Sequence, residues 1–97
     1  MAAVVKLGSY NRRTTVYGRS AASCDYYGSQ VVSVALYAGN TIVTSRTFGH
    51  SNTRTIATNT SSSVYARCGV RYQVVVVHNF NNYRQTTHWS NPYYYYC

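Results

Sequence analysis

The chain has 97 residues and a formal net charge of +8, with one acid, Asp25, set against nine lysines and arginines. A lone carboxylate excludes paired-carboxylate glycoside hydrolysis, and the scarcity of leucine, lysine and glutamate argues against helix. Tyrosine, valine, serine and threonine dominate instead, which suits pleated, half-wet surfaces, and 1–97 reads as a single domain with one core and little to spare.

Ala2 to Leu7 is a short apolar strand ended by Gly8-Ser9, and MAAVVKLG is too short an apolar run for a secretory signal. Arg13 to Tyr17 alternates weakly and stops at Gly18. Ala21 to Tyr27 is a strand carrying Cys24, followed by the turn residues Gly28-Ser29. Val31, Val32, Val34, Leu36 and Tyr37 lead into Ala38-Gly39-Asn40, and Thr41 to Thr47 leads away. Gly-Asn between two β-branched runs predicts a hairpin, because both residues tolerate positive φ. Phe48 to Asn52 reads as a loop, Arg54 to Thr58 as a short strand and Asn59 to Ser62 as a polar turn.

Ser63 to Phe80 is the stretch around which the rest is organised. Every second residue from Val64 gives Val64, Ala66, Cys68, Val70, Tyr72, Val74, Val76, His78 and Phe80, the apolar face of a strand. A straight strand of that length would span roughly 55 Å, several times the radius of gyration of about 13 Å expected for such a domain, so it must break. Gly69 is the expected break. From Val74 to Val77 both faces are apolar, which predicts either a strand covered on both sides or one whose outer face, Val75 and Val77, meets another chain. Beyond Asn81-Asn82, Tyr83 to Trp89 reads as the partner arm of a hairpin, broken by Ser90-Asn91-Pro92. The tail Tyr93, Tyr94, Tyr95, Tyr96 and Cys97 reads as a last edge strand suited to assembly. About seven to nine short strands with little or no helix predict an all-β, single antiparallel β-sandwich.

CDYYGSQVVSVALYAGNTIVTSRTF followed by SSSVYARCGVRYQVVVVHNF resembles the layout of small secreted bacterial immunoglobulin-like or fibronectin-III-like domains, over about two-thirds of the chain. The resemblance implies an immunoglobulin-like sandwich. The chain departs from antibody-type domains in two ways: Leu36 or Tyr37 stands where they carry a core Trp, and Tyr65 lies three residues before Cys68 rather than two.

Three cysteines without CxxC spacing argue against a thiolate zinc site. Cys24 and Cys68, both in expected strands, are the favoured disulfide, which leaves Cys97 free or available to another copy. A metal site would use His50, His78 and His88, with His78 and His88 at facing positions of the last hairpin, but scattered surface and rim histidines are the favoured reading. No spacing supports a two-histidine hydrolase, so neither cofactor nor small-molecule substrate is expected. No apolar run is long enough for a transmembrane helix. The expectation is a non-enzymatic, secreted or surface-exposed module that forms a homo-oligomer or polymer through edge strands and the tyrosine tail. The alternative is a small cationic protein binding an anionic polymer, including a coat or toxin-like protein acting on nucleic acid or a cell envelope. It would use Arg12, Arg13, Arg19, Arg67, Arg71 and Arg84, with Arg67 and Arg71 sharing a strand face with Tyr65 and with Tyr83 and Trp89 near Arg84.

Overall fold

A computed structural model describes residues 1–81 and 84–97. Its strands are β1 (Ala2–Tyr10), β2 (Arg13–Ala38), β3 (Thr41–Asn59), β4 (Val64–Tyr65), β5 (Val70–Phe80), β6 (Arg84–Trp89) and β7 (Tyr93–Tyr95). The described residues contain no helix, and every strand pair is antiparallel. Asn82 and Tyr83, placed by the sequence in a turn and at the start of a strand, lie outside the described residues.

The seven strands match the expected number, but several are longer than the turn signals suggested, and β2 shows why. Its 26 residues would reach roughly 85 Å if straight, but the longest dimension of the molecule is 44 Å. The strand therefore folds over. The bend lies where its register with β3 slips: Ser23 pairs with Thr55 and Gly28 with Thr53, so Cys24 to Tyr27 stand opposite Arg54 alone. Such bulges increase local twist and turn a strand. β3 follows β2 through this bend, with Asn52 at φ 52°, so the predicted loop Phe48 to Asn52 is part of a continuous strand.

The bend divides one curled sheet into two arms. In the first, Arg13 to Ser23 is flanked by β1 on one side and by β4 and the end of β3 on the other. In the second, Gln30 to Ala38 lies between the start of β3 and β5; β5 in turn carries β6 along Val75 to Phe80 and β7 along Val70 to Tyr72. The arms close on a core of Val16, Val34, Leu36, Tyr72 and Val74, continued by Ala22, Val32, Ile56 and Val76. Val16 and Leu36 belong to one strand and meet only because it bends. Gly18 does not end a strand. It sits where the arms approach, and a Cβ there would lie 2.9 Å from Val74 Cγ2 and 3.1 Å from Thr60 Cγ2.

One of the two hairpin turns differs from the reading of the sequence. Gly39-Asn40 closes the β2–β3 hairpin as expected, with Ala38 paired to Thr41. The β1–β2 turn, however, is Asn11-Arg12, both at positive φ (51° and 61°), so β1 runs straight through Gly8-Ser9 to Tyr10. A two-residue hairpin turn of this kind needs left-handed backbone at both positions, and arginine is not a residue that signals it.

Cys68 is joined to Cys97, with their Cα atoms 5.5 Å apart, and Cys24 is the unpaired cysteine. The expected Cys24–Cys68 pairing therefore fails. The sequence break at Gly69 (φ 75°) is where β4 ends its excursion and β5 begins, and Gly69 N donates to Tyr95 O at 2.7 Å. That turn carries Cys68 toward the chain end and away from the bend that holds Cys24. Cys97, expected to be free for a partner, is held internally.

Candidate assembly surface

β5 alternates strictly. Tyr72, Val74, Val76 and His78 face the core, while Arg71, Gln73, Val75, Val77 and Asn79 face outward and are only partly covered. Directly paired residues share a face of an antiparallel sheet, so the register assembles the outer surface of the second arm. Ala35, Val75 and Trp89 form one row, with Tyr37 and Ile42 beside it and Val31 and Val77 further along. Tyr37 and Trp89 pack with ring centroids 5.5 Å apart. Ile42 and Trp89 keep about half of their surface in water, 51% and 49%. Ser33 and Thr47 interrupt the apolar surface and satisfy one another through their hydroxyls at 2.9 Å.

The tyrosine tail lies at the rim of this surface. β7 continues the edge that β6 begins, and Ser90 bridges the break. Its hydroxyl accepts from Val74 N at 2.9 Å, and its carbonyl accepts from Gln73 Nε2 at 2.7 Å. Of the four tail tyrosines, Tyr95 turns inward against the core, while Tyr94 and Tyr96 stack on each other in solvent, 6.3 Å apart. Tyr93 is exposed as well. Val75, Val77, Tyr94 and Tyr96 thus face outward, whereas Tyr95 packs on the core and Cys97 is held in the internal disulfide.

The candidate arginines do not form one patch. Arg71 pairs with Tyr94 on β7, Arg67 lies in the β4–β5 connection, and Arg84 borders a hollow at the bend. Tyr65 pairs with Thr15 of the first arm, β4 ends there before Arg67, and the Gly69 turn separates both from Arg71 on β5, so the expected single strand face of Tyr65, Arg67 and Arg71 does not exist. Arg12, Arg13 and Arg19 remain together on the first arm.

The hollow at the bend has a volume of about 300 Å³ and is lined by Cys24, Tyr26, His78, Phe80 and Arg84 among others. Behind it sits Gln30, fully buried, a polar residue in a valine-rich strand that the sequence reading passed over. Its Nε2 donates to Thr53 O at 2.8 Å, which orients the amide so that Oε1 accepts from His78 Nε2 at 2.8 Å, with the Cys24 thiol 3.7 Å away. His78 thus carries its proton on Nε2. Burial, followed by the positive charge of the Met1 amino group, holds its pKa below the usual histidine value, so the ring is neutral at pH 7. A glutamine at an inward position of an alternating strand was the available signal, since buried amides need partners. Among the described residues, no three His, Cys, Asp or Glu side chains gather as a metal site. His50 bonds its neighbour Ser51 O, away from His78.

No helix is long and apolar enough to cross a membrane, among the residues described. No family model, curated protein or solved structure matches the chain.

Proposed function

We propose that this protein is a non-enzymatic structural module, secreted or displayed at a surface, whose copies associate through the outer face of β2, β5 and β6. One observation carries the reading: the central strand β5 is apolar on both sides, yet only its inner side is covered. Val75, Val77, Ala35, Tyr37, Ile42 and Trp89 are left as a surface without a single acidic or basic residue among them. Apolar sheet faces pack against one another about 10 Å apart, and aromatic residues are favoured at interface centres. Tyr94 and Tyr96 extend the surface at its rim, and Pro92 in the edge between β6 and β7 discourages open-ended ladder pairing there. Face-to-face packing therefore has more support than addition of edge strands.

The Cys68–Cys97 disulfide is compatible with an oxidising compartment, which favours placement outside the cell. The two arms, facing each other across one core, support description as a sandwich of two layers. An immunoglobulin-like order remains part of the proposal only in that loose sense, since β2 and β3 run through both layers.

Sedimentation velocity over a rising concentration series tests the reading. The expected result is a mass that grows with concentration, is not reduced by added salt, and persists in reductant because the disulfide is internal. Val77→Lys should hold the protein monomeric without altering its strand signature. A wild-type protein that stays monomeric throughout removes the proposal.

A further inference from the structure

The opposite side of the molecule has a different chemistry. Across β1 and β2, Tyr10 pairs with Arg13, Gly8 with Thr15, Lys6 with Tyr17 and Val4 with Arg19. Thr15 also pairs with Tyr65 of β4, and Arg19 with Asn59 of β3. Paired residues share a face, so Arg13, Thr15, Tyr17 and Arg19 look outward with Tyr10, Lys6 and Tyr65, while Val16, Gly18 and Ser20 look into the core. The first arm therefore presents Lys6, Arg13 and Arg19 interleaved with three tyrosines, with Arg12 in the turn above them. The chain's one acid, Asp25, falls outside Arg13 to Ser23. Arg13 stacks over the Tyr65 ring at 3.8 Å, and Arg19 donates to Asn59 Oδ1 at 3.2 Å.

The tyrosines also enclose space. A hollow of about 240 Å³ lies between Tyr10 and Tyr65, with Ser63 at its side and Thr15, only 7% exposed, in its lining. That is below the roughly 300–1,000 Å³ of a site for a whole drug-sized ligand, and suits one ring system. Gly8 keeps the neighbouring surface low, so that the Tyr17 ring lies over it, with Cε1 3.9 Å from where a Cβ would stand.

We propose that this face binds single-stranded nucleic acid, with Lys6, Arg12, Arg13 and Arg19 on the phosphates and Tyr10, Tyr17 and Tyr65 stacking on unpaired bases. Charge complementarity selects a polyanion, and the exposed rings select among polyanions. The π-face of a base is reachable only where the strand is unpaired, whereas a sulfated polysaccharide or a lipid headgroup has no planar ring to stack. Arg13 to Arg19 spans roughly 20 Å along the strand, enough for several nucleotides. This inference uses a surface on the other arm from the assembly face and stands or falls apart from it.

Fluorescence anisotropy with a labelled oligothymidine of about a dozen nucleotides tests the proposal, since sites of that order are typical of single-strand binders. With about four phosphates neutralised, affinity should fall with salt at a log–log slope of about −3. Lys6→Gln, Arg13→Gln and Arg19→Gln should each flatten that slope by about 0.7. Tyr65→Ala should weaken binding about ten-fold and leave the slope unchanged, and Tyr65→Phe, which keeps the ring, should bind like the parent. Arg84→Gln, at the hollow of the bend and away from this face, should change neither quantity. Val77→Lys, which tests assembly, should bind as the parent does. Absence of binding at about 50 mM salt overturns the proposal. So does equal affinity for duplex DNA, heparin or anionic vesicles, or indifference to Tyr65→Ala in a variant that remains folded.

Discussion

His78 Nε2 donates to Gln30 Oε1 at 2.8 Å in the seam where the second arm meets the bend, and the amide of Gln30 is itself anchored on Thr53 O. This chain of bonds ties β5 to β2 and β2 to β3 at the place where register is lost. Burial and, second, the positive charge of the Met1 amino group hold the imidazole pKa below the ordinary histidine value, so the ring makes this bond in its neutral form near pH 7.

The folded protein consequently takes up the His78 proton at a lower pH than the unfolded chain does. Stability from this group is complete above about pH 6.5, the ordinary histidine value. It declines as the pH falls from there through the lowered pKa of the folded state, and levels off below it. Urea midpoints measured across mildly acidic pH should therefore drop below neutrality, and His78→Gln should flatten that portion of the curve. An unchanged slope in the variant would assign the pH dependence elsewhere.

The Cys68–Cys97 bridge closes a sequence separation of 29. By the loop-entropy estimate it stabilises the fold by about 3–4 kcal/mol. Cys97→Ser should lower stability by an amount of that order, and Cys24→Ser should change it little, since the Cys24 thiol has only a long contact to Gln30 Oε1. Thiol labelling of the native, unreduced protein followed by peptide mapping should find the label on Cys24. Label on Cys97 would refute the pairing.

Gly18→Ala should destabilise by about 1–3 kcal/mol, because the added methyl overpacks against Val74 and Thr60 between the two arms. Gly39→Ala meets no neighbour and should cost only about 1 kcal/mol, the penalty for its positive φ of 62°. Thermal unfolding of the two variants side by side distinguishes packing from backbone strain. Equal losses would mean that Gly18 is not a close-approach position.

Much of the local structure was legible residue by residue. Alternation from Val70 to Phe80 placed β5 and its inward set, Gly39-Asn40 placed the long hairpin, and Gly69 placed the break before β5. Val75 and Val77 were readable as the second apolar face of the strand, because period-2 patterning specifies both sides, but whether anything covers that face was left open by the sequence. Gly18 and Gly28 misled, since glycine permits a turn but also permits close approach, and at Gly18 close approach is what the neighbours required. Arg12 gave no turn signal at all, although it occupies one.

By itself, the order of residues decided strand character, the two-sided apolarity of β5 and the excess of cations over a single acid, because these follow from side-chain type and local periodicity. Only the tertiary structure decided which distant residues meet. The bulge at Cys24 to Tyr27 folds β2 so that Val16 packs near Leu36, sends Cys68 to Cys97 rather than to Cys24, and sorts Lys6, Arg13 and Arg19 onto one arm and Trp89 with Val75 onto the other. The physical reason is that a bend position depends on how many residues each strand spends between the same two paired points, a property of the pair and of neither strand alone.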